Sequence, residues 1–170
     1  MTHHELVERG ARWLRNTKRC RVVLMEIVTS VSETPDVIGW KGALTTLVEC
    51  KTSRSDFLRD KHKSFRINRD KGMGFRRYYL TPPGLLTLED LPEMWGLIEA
   101  NTRCIRVRRQ SSQFRNRNTR AEVILLQSEL ALYQQVLTGG ELFRTGRAER
   151  IYIDLGRIPP WQSYWYGAGI

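Results

Sequence analysis

Between Glu33 and Lys51 the chain reads ETPDVIGWKGALTTLVECK, and this stretch leaves few folds open. Pro35 restricts Thr34 to extended backbone, so a strand is expected to begin near Asp36 and end by Trp40. Lys41-Gly42 supplies a turn, and the strand-like run from Leu44 to Lys51 returns. Alternation puts Thr45, Leu47, Glu49 and Lys51 on one face and Leu44, Thr46, Val48 and Cys50 on the other, the second set expected to face the core. In an antiparallel hairpin Asp36 then falls opposite Glu49 or diagonal to it, according to loop length. Such neighbours on one face are about 5 Å apart, or about 7 to 8 Å on the diagonal. Two carboxylates and one ammonium therefore converge.

The flanking segments read as a sheet with helices on it. Thr2 and Glu5 form a capping box, and Leu6, Gly10, Trp13 and Leu14 recur at helical spacing, which predicts a helix over 3–16 with a stripe that covers a sheet. Arg21 to Val28 reads as a buried strand carrying Glu26, a charge in need of a partner. After Lys51, Ser53 as N-cap with Asp56 in the first turn predicts a helix to about Phe65, with Phe57, Leu58 and Phe65 on one face and a basic outer face. Arg77 to Leu80 reads as a strand stopped by Pro82-Pro83-Gly84. Trp95–Ala100 and Cys104–Arg108 read as a hairpin, followed by a polar, arginine-bearing loop over 110–118. A capping box at Thr119 and Glu122 opens a helix over 119–137, and Ile151, Ile153 and Leu155 alternate as in a strand before an aromatic tail from Trp161 to Tyr166. The resulting division is a domain over 1–138 and a C-terminal extension over 139–170.

Composition narrows the partner. Twenty-eight Lys and Arg against eighteen Asp and Glu give a net charge of +10, and the excess is mostly arginine, whose planar fork suits phosphate. A polyanion is the first suspect, with nucleic acid foremost. Three scattered cysteines without a CxxC pair give neither a disulfide framework nor a zinc knuckle, and they fit a reducing cytoplasm. No apolar run approaches the roughly 18 residues of a membrane span. A second apolar stripe on the helix over 119–137, or the aromatic tail, offers a surface for a homodimer.

Two carboxylates and a lysine on one sheet face suit metal-dependent hydrolysis of a phosphodiester. The carboxylates can bridge a small hard cation, for which Mg²⁺ is the natural choice and Mn²⁺ a substitute, and Lys51 can orient or help deprotonate a water. Pro35-Asp36 and Glu49-Cys50-Lys51 resemble the motif of the PD-(D/E)xK nuclease superfamily. VECKTSRSDFLRDKHK followed by RRYYL is similar to its MmcB-like DNA-repair proteins. The resemblance covers about residues 3 to 100. It implies a mixed α/β (α+β) fold with a restriction-endonuclease-like αβββαβ core and a C-terminal helix and tail. It further implies Asp36 and Glu49 as metal ligands with the Cys50 carbonyl beside them, and Lys51 as the catalytic lysine.

A further acid from the first helix often joins such sites. Glu5 and Glu8 both qualify, with Glu5 preferred because Glu-Leu-Val resembles that helix in Holliday-junction resolvases; Glu26 is a rival. The bland readings stand beside these. Glu5 can be only a cap, Glu26 can pair with an arginine, Asp36 can merely begin a turn, and Glu49 with Lys51 can be an exposed ion pair. Ser53, Arg54, Lys61, Lys63, Arg66 and Arg77 are expected to grip phosphates without reading sequence. His3, His4 and His62 lack ligand spacing and read as surface residues. The implied activity is a Mg²⁺-dependent deoxyribonuclease, structure-selective or non-specific; the alternative is a silent nuclease fold that binds nucleic acid or a partner.

Overall fold

A computed structural model describes residues 1–27, 33–42, 44–67, 72–114 and 150–153. The chain runs α1 (His3–Asn16), β1 (Val22–Met25), β2 (Val37–Lys41), β3 (Leu44–Cys50), α2 (Arg54–Lys61), α3 (Ser64–Ile67), β4 (Arg76–Thr81), β5 (Gly96–Ala100), β6 (Ile105–Arg109) and β7 (Arg150–Ile153). All seven strands form one mixed sheet in the order β6-β5-β4-β3-β2-β1-β7. The first three are an antiparallel meander; β4 then joins β3 in parallel after α2 and α3, and β5 joins β4 in parallel. The fold is thus α+β, as the helix and strand patterns predict. The predicted helix over 119–137 and the aromatic tail lie outside the described residues, whereas the strand expected near Ile151 is present and pairs antiparallel with β1.

The capping box opens α1 as expected: the Thr2 side chain accepts from the Glu5 N–H, and Glu5 Oε2 accepts from the Thr2 N–H at 2.7 Å. Its buried stripe of Leu6, Val7, Trp13 and Leu14 lies on β1 to β4. Burial of each such side chain stabilises the fold by roughly 1.5–3 kcal/mol. Gly10 permits the close approach, since a Cβ there would stand 3.2 Å from the Leu80 side chain and 3.3 Å from that of Val37.

The opposite face of the sheet carries a second core, with Leu24, Ile38, Leu47, Phe57, Tyr79 and Trp95 among its members. This corrects two expectations. Only one face of the β3 segment was expected to meet the core, yet Thr45 through Cys50 are all buried and Leu44 is exposed, because β3 lies between neighbours in a sheet covered on both sides. The helix expected to reach Phe65 is broken in two. The His62 N–H turns back to the Arg59 carbonyl at 3.3 Å, and α3 restarts at Ser64. Phe57 and Asp60, three apart, set the inward face of α2, which leaves Leu58 in solvent.

A candidate active site on the covered face of the sheet

The register of β2 and β3 pairs Val37 with Val48, and one step further places Asp36 directly opposite Glu49. The short loop therefore selects the opposed arrangement over the diagonal one. Asp36 Oδ2 accepts from the Cys50 N–H at 2.7 Å, which pins the carboxylate across the two strands. The Cys50 side chain itself points into the core beneath α1, fully buried.

Lys51 follows on the same face as Glu49. Its Nζ lies 3.3 Å from Glu49 Oε2 and 3.7 Å from Asp60 Oδ1. Burial works against its charged form, but Glu49, Asp60 and Asp36 outweigh that and raise its pKa above the ordinary lysine value. Lys51 is thus held as an ammonium. It suits orienting a water or offsetting negative charge, and it does not suit taking a proton, the other role open to it from its position alone.

Arg66 was expected to grip phosphate. Instead its side chain is 1% exposed and binds three carboxylates: Glu33, Glu49 Oε1 at 3.0 Å, and Asp60 Oδ2 at 2.8 Å. The contact with Glu49 is an ion pair without hydrogen-bond alignment, since Glu49 Oε1 has no hydrogen-bond donor. The guanidinium also lies over the rings of Phe65 and Trp95, 4.7 and 4.8 Å from their centroids. Buried ions survive only when paired in this way. Asp60 completes the set by accepting from the Tyr79 hydroxyl at 2.9 Å and pairing with Lys63 at 2.9 Å. Burial would raise the Asp60 pKa, but Arg66 and Lys51 prevail and hold it well below the usual carboxylate range.

Arg77 departs from expectation in the same manner. It is buried, donates from Nε to the Gly74 carbonyl at 3.1 Å and from its terminal nitrogen to Gly72, and lies over Phe114. A guanidinium held by backbone carbonyls under an aromatic ring cannot reach a phosphate. Arg54 is exposed but bound at both terminal nitrogens to Asp90, at 2.7 and 2.5 Å. Ser53 caps α2 by accepting from the Asp56 N–H at 3.2 Å. Lys61 lies against the Phe57 ring, and half-exposed Lys63 leans on Asp60. These two remain the accessible basic groups beside the candidate site.

Glu5 and Glu26, the rivals for the further acid, separate cleanly. Glu5 is turned back on Thr2 and fully exposed, which leaves it as a cap. Glu26 is neither in a strand nor buried as expected; it follows β1 with φ at +51°, a left-handed backbone, while its N–H continues the pairing with β2 by donating to the Asp36 carbonyl at 2.9 Å. Its carboxylate lies 3.7 Å from His3 Nε2, which is also 3.6 Å from Asp36 Oδ1. The first helix thus contributes His3 to the mouth of the site, a residue otherwise read as a surface bystander.

Glu33, Asp60, Tyr79 and His3 escaped the sequence reading. Asp60 alone left a signal, since it falls three residues after Phe57 on the inward face of a helix.

Asp36 is the strained member. Burial first, and then the Glu49 carboxylate, push its pKa up to about 8, although Lys51 pulls the other way. A hard dication between two opposed carboxylates would remove that repulsion, and Mg²⁺ commonly takes only one or two carboxylates, with waters and substrate oxygens in its remaining positions. Asp36 and Glu49, opposed across the two strands, suit such an open site. They do not form a closed cage: among the described residues no three His, Cys, Asp or Glu side chains are grouped so as to hold an ion.

No protein-family model matches the chain, and no curated protein matches it. Among solved structures the chain is similar to the SPO1766 protein of unknown function from Silicibacter pomeroyi, at 21% identity and a TM-score of 0.57, over 85% of this chain and 92% of that one. At that identity the likeness concerns the fold alone. Among the described residues no helix is long and apolar enough to cross a membrane.

Proposed function

We propose that the protein is a metal-dependent deoxyribonuclease with a restriction-endonuclease-like core of PD-(D/E)xK type, acting in DNA repair or recombination, phage genome handling or defence. The observation that carries this reading is Asp36 directly opposite Glu49 on adjacent strands, with the Lys51 ammonium 3.3 Å from Glu49. The order of helix, three-stranded meander, helix and parallel strand gives further support. Asp36, Glu49 and the Cys50 carbonyl would hold Mg²⁺, or Mn²⁺ in its place, which when bound lowers the pKa of water and offsets charge on phosphate. Lys51 orients the attacking water and meets the developing negative charge, while Arg66 and the Cys50 N–H hold the two carboxylates in place. His3 and Glu26 border the solvent side, and Lys61 and Lys63 attract the backbone without reading bases. In a panel of linear, nicked, branched and single-stranded DNA with Mg²⁺ or Mn²⁺, wild type should cut at least one substrate and Asp36→Ala none. Absence of any cleavage, or equal cleavage by Asp36→Ala, would refute the proposal.

One observation favours a second reading, a nuclease fold that binds nucleic acid or a partner without turnover. The Glu49 carboxylate already faces two cations, Lys51 and Arg66, and so needs no metal for neutralisation. Calorimetric titration with Mn²⁺ separates the readings: binding that Glu49→Gln abolishes supports the enzyme, and no binding to wild type supports the silent fold.

A further inference from the structure

On the other face of the sheet, where the outer side of α1 meets the β5–β6 hairpin, lies a cleft of about 330 Å³. Three arginines border it: Arg9 and Arg12 from α1, and Arg103 from the hairpin turn. No carboxylate lines it among the described residues. Arg12 and Arg103 are exposed and make no ion pair among the described residues. Arg9 has one long bond, from Nη1 to the Thr102 carbonyl at 3.4 Å, while its Nε is buried without an acceptor. Like charges gathered around a concavity repel one another, and a buried donor left unmatched is unfavourable, so an anion that met both would be welcome here. The floor is different in kind. Trp13, Ile105 and Val107 line it, the two aliphatic side chains half-buried against the core under α1.

We infer that this cleft is a binding site for a nucleotide, with the phosphate received by Arg9, Arg12 and Arg103 and the planar base laid against Ile105, Val107 and the rim of Trp13. The arginine fork matches phosphate oxygens two at a time, and a concave, partly apolar site of this size is at the lower end of small-ligand pockets. A free nucleotide and a nucleotide unit of a single strand present the same chemistry. The site is on the opposite face of the sheet from Asp36 and needs no metal, so it stands whether or not the proposed cleavage does.

The test uses the full chain in EDTA, which silences any metal-dependent step. The probes are AMP by calorimetry and a labelled short oligothymidylate by fluorescence anisotropy. Arg12→Ala/Arg103→Ala removes two exposed side chains, and Arg59→Ala on α2 removes an exposed charge elsewhere. The double variant should weaken binding at least tenfold and Arg59→Ala less than twofold. Displacement of the oligonucleotide by AMP identifies a free or terminal nucleotide; oligonucleotide binding with the same variant sensitivity but no AMP binding identifies an internal unit of a strand. Cys104 gives a second readout. It lines the cleft and is exposed, whereas Cys20 and Cys50 are buried, so a bound nucleotide should slow its reaction with a charged thiol reagent at least threefold. Failure of both probes to bind wild type, an equal loss in Arg59→Ala, or unprotected Cys104 at saturation overturns the inference.

Discussion

The two faces of the sheet handle charge in opposite ways. On the face covered by α2 and α3, the carboxylates of Glu33, Glu49 and Asp60 and the cations Arg66 and Lys51 are nearly without solvent exposure and touch one another. On the face beneath α1, three arginines border an open cleft without a lining carboxylate. Burial enforces matching, because an unpaired ion in the interior costs several kcal/mol, whereas water and salt screen an exposed cluster. The closed set is therefore architecture, and the open set is free to recruit its counter-ion from outside.

Cutting the closed set should show the largest effect. Arg66→Met takes a cation away from three buried carboxylates, Glu33, Glu49 and Asp60, and should lower the unfolding free energy by about 3–5 kcal/mol in urea titration; a loss below about 1 kcal/mol would mean that solvent or their other partners make good the missing charge. Next comes Asp36, a carboxylate on that face that burial and Glu49 disfavour. The Asp36 pKa is pushed up to about 8 in the folded state against roughly 3.9 unfolded. The folded protein thus holds this proton more tightly. Its contribution to stability is fully present below about pH 4 and is lost as the pH rises toward 8, at no more than about 1.4 kcal/mol per pH unit. In EDTA, Asp36→Asn should melt above wild type at pH 8, with the gap narrowing toward pH 4; parallel profiles would disprove the shift.

Smaller effects sharpen the contrast. Tyr79→Phe removes one of several partners of Asp60 and should cost about 1 kcal/mol. Arg12→Ala and Arg103→Ala, on the open side, should each change stability by no more than about 0.5 kcal/mol without anion. Any gain they bring should vanish in added salt, since screening already relieves the repulsion. A large loss from either would place it in the architecture after all.

Much of the scaffold was legible because its signals are local. The Thr2 capping box, the period-two run ending at Cys50 and the Gly42 turn each fix a backbone over a few residues, and together they bring Asp36 to Glu49. The Ser53 cap marked where α2 starts. Its interruption at His62 was hidden, since nothing in DKHKSF breaks a helix by composition, and the turn there serves contacts made by Asp60 and Arg66 far along the fold. Arg66 and Arg77 were misread for a related reason. An arginine count cannot distinguish a guanidinium facing phosphate from one facing Glu33 or the Gly72 carbonyl. His3 was hidden because its contacts with Glu26 and Asp36 join α1 to the sheet across the fold, and Glu26 takes a left-handed backbone that glutamate seldom adopts.

The pairing of β7 with β1 also bears on how the protein is made. Met25 is partnered by Arg150, so during synthesis the outer edge of β1 has its amide and carbonyl groups uncovered until more than a hundred further residues have been added. At about 5–20 residues per second that interval lasts several seconds or more. An open edge is a template for other strands. The nascent chain is therefore at its most aggregation-prone after the β1–β3 meander has formed and before β7 emerges from the ribosome.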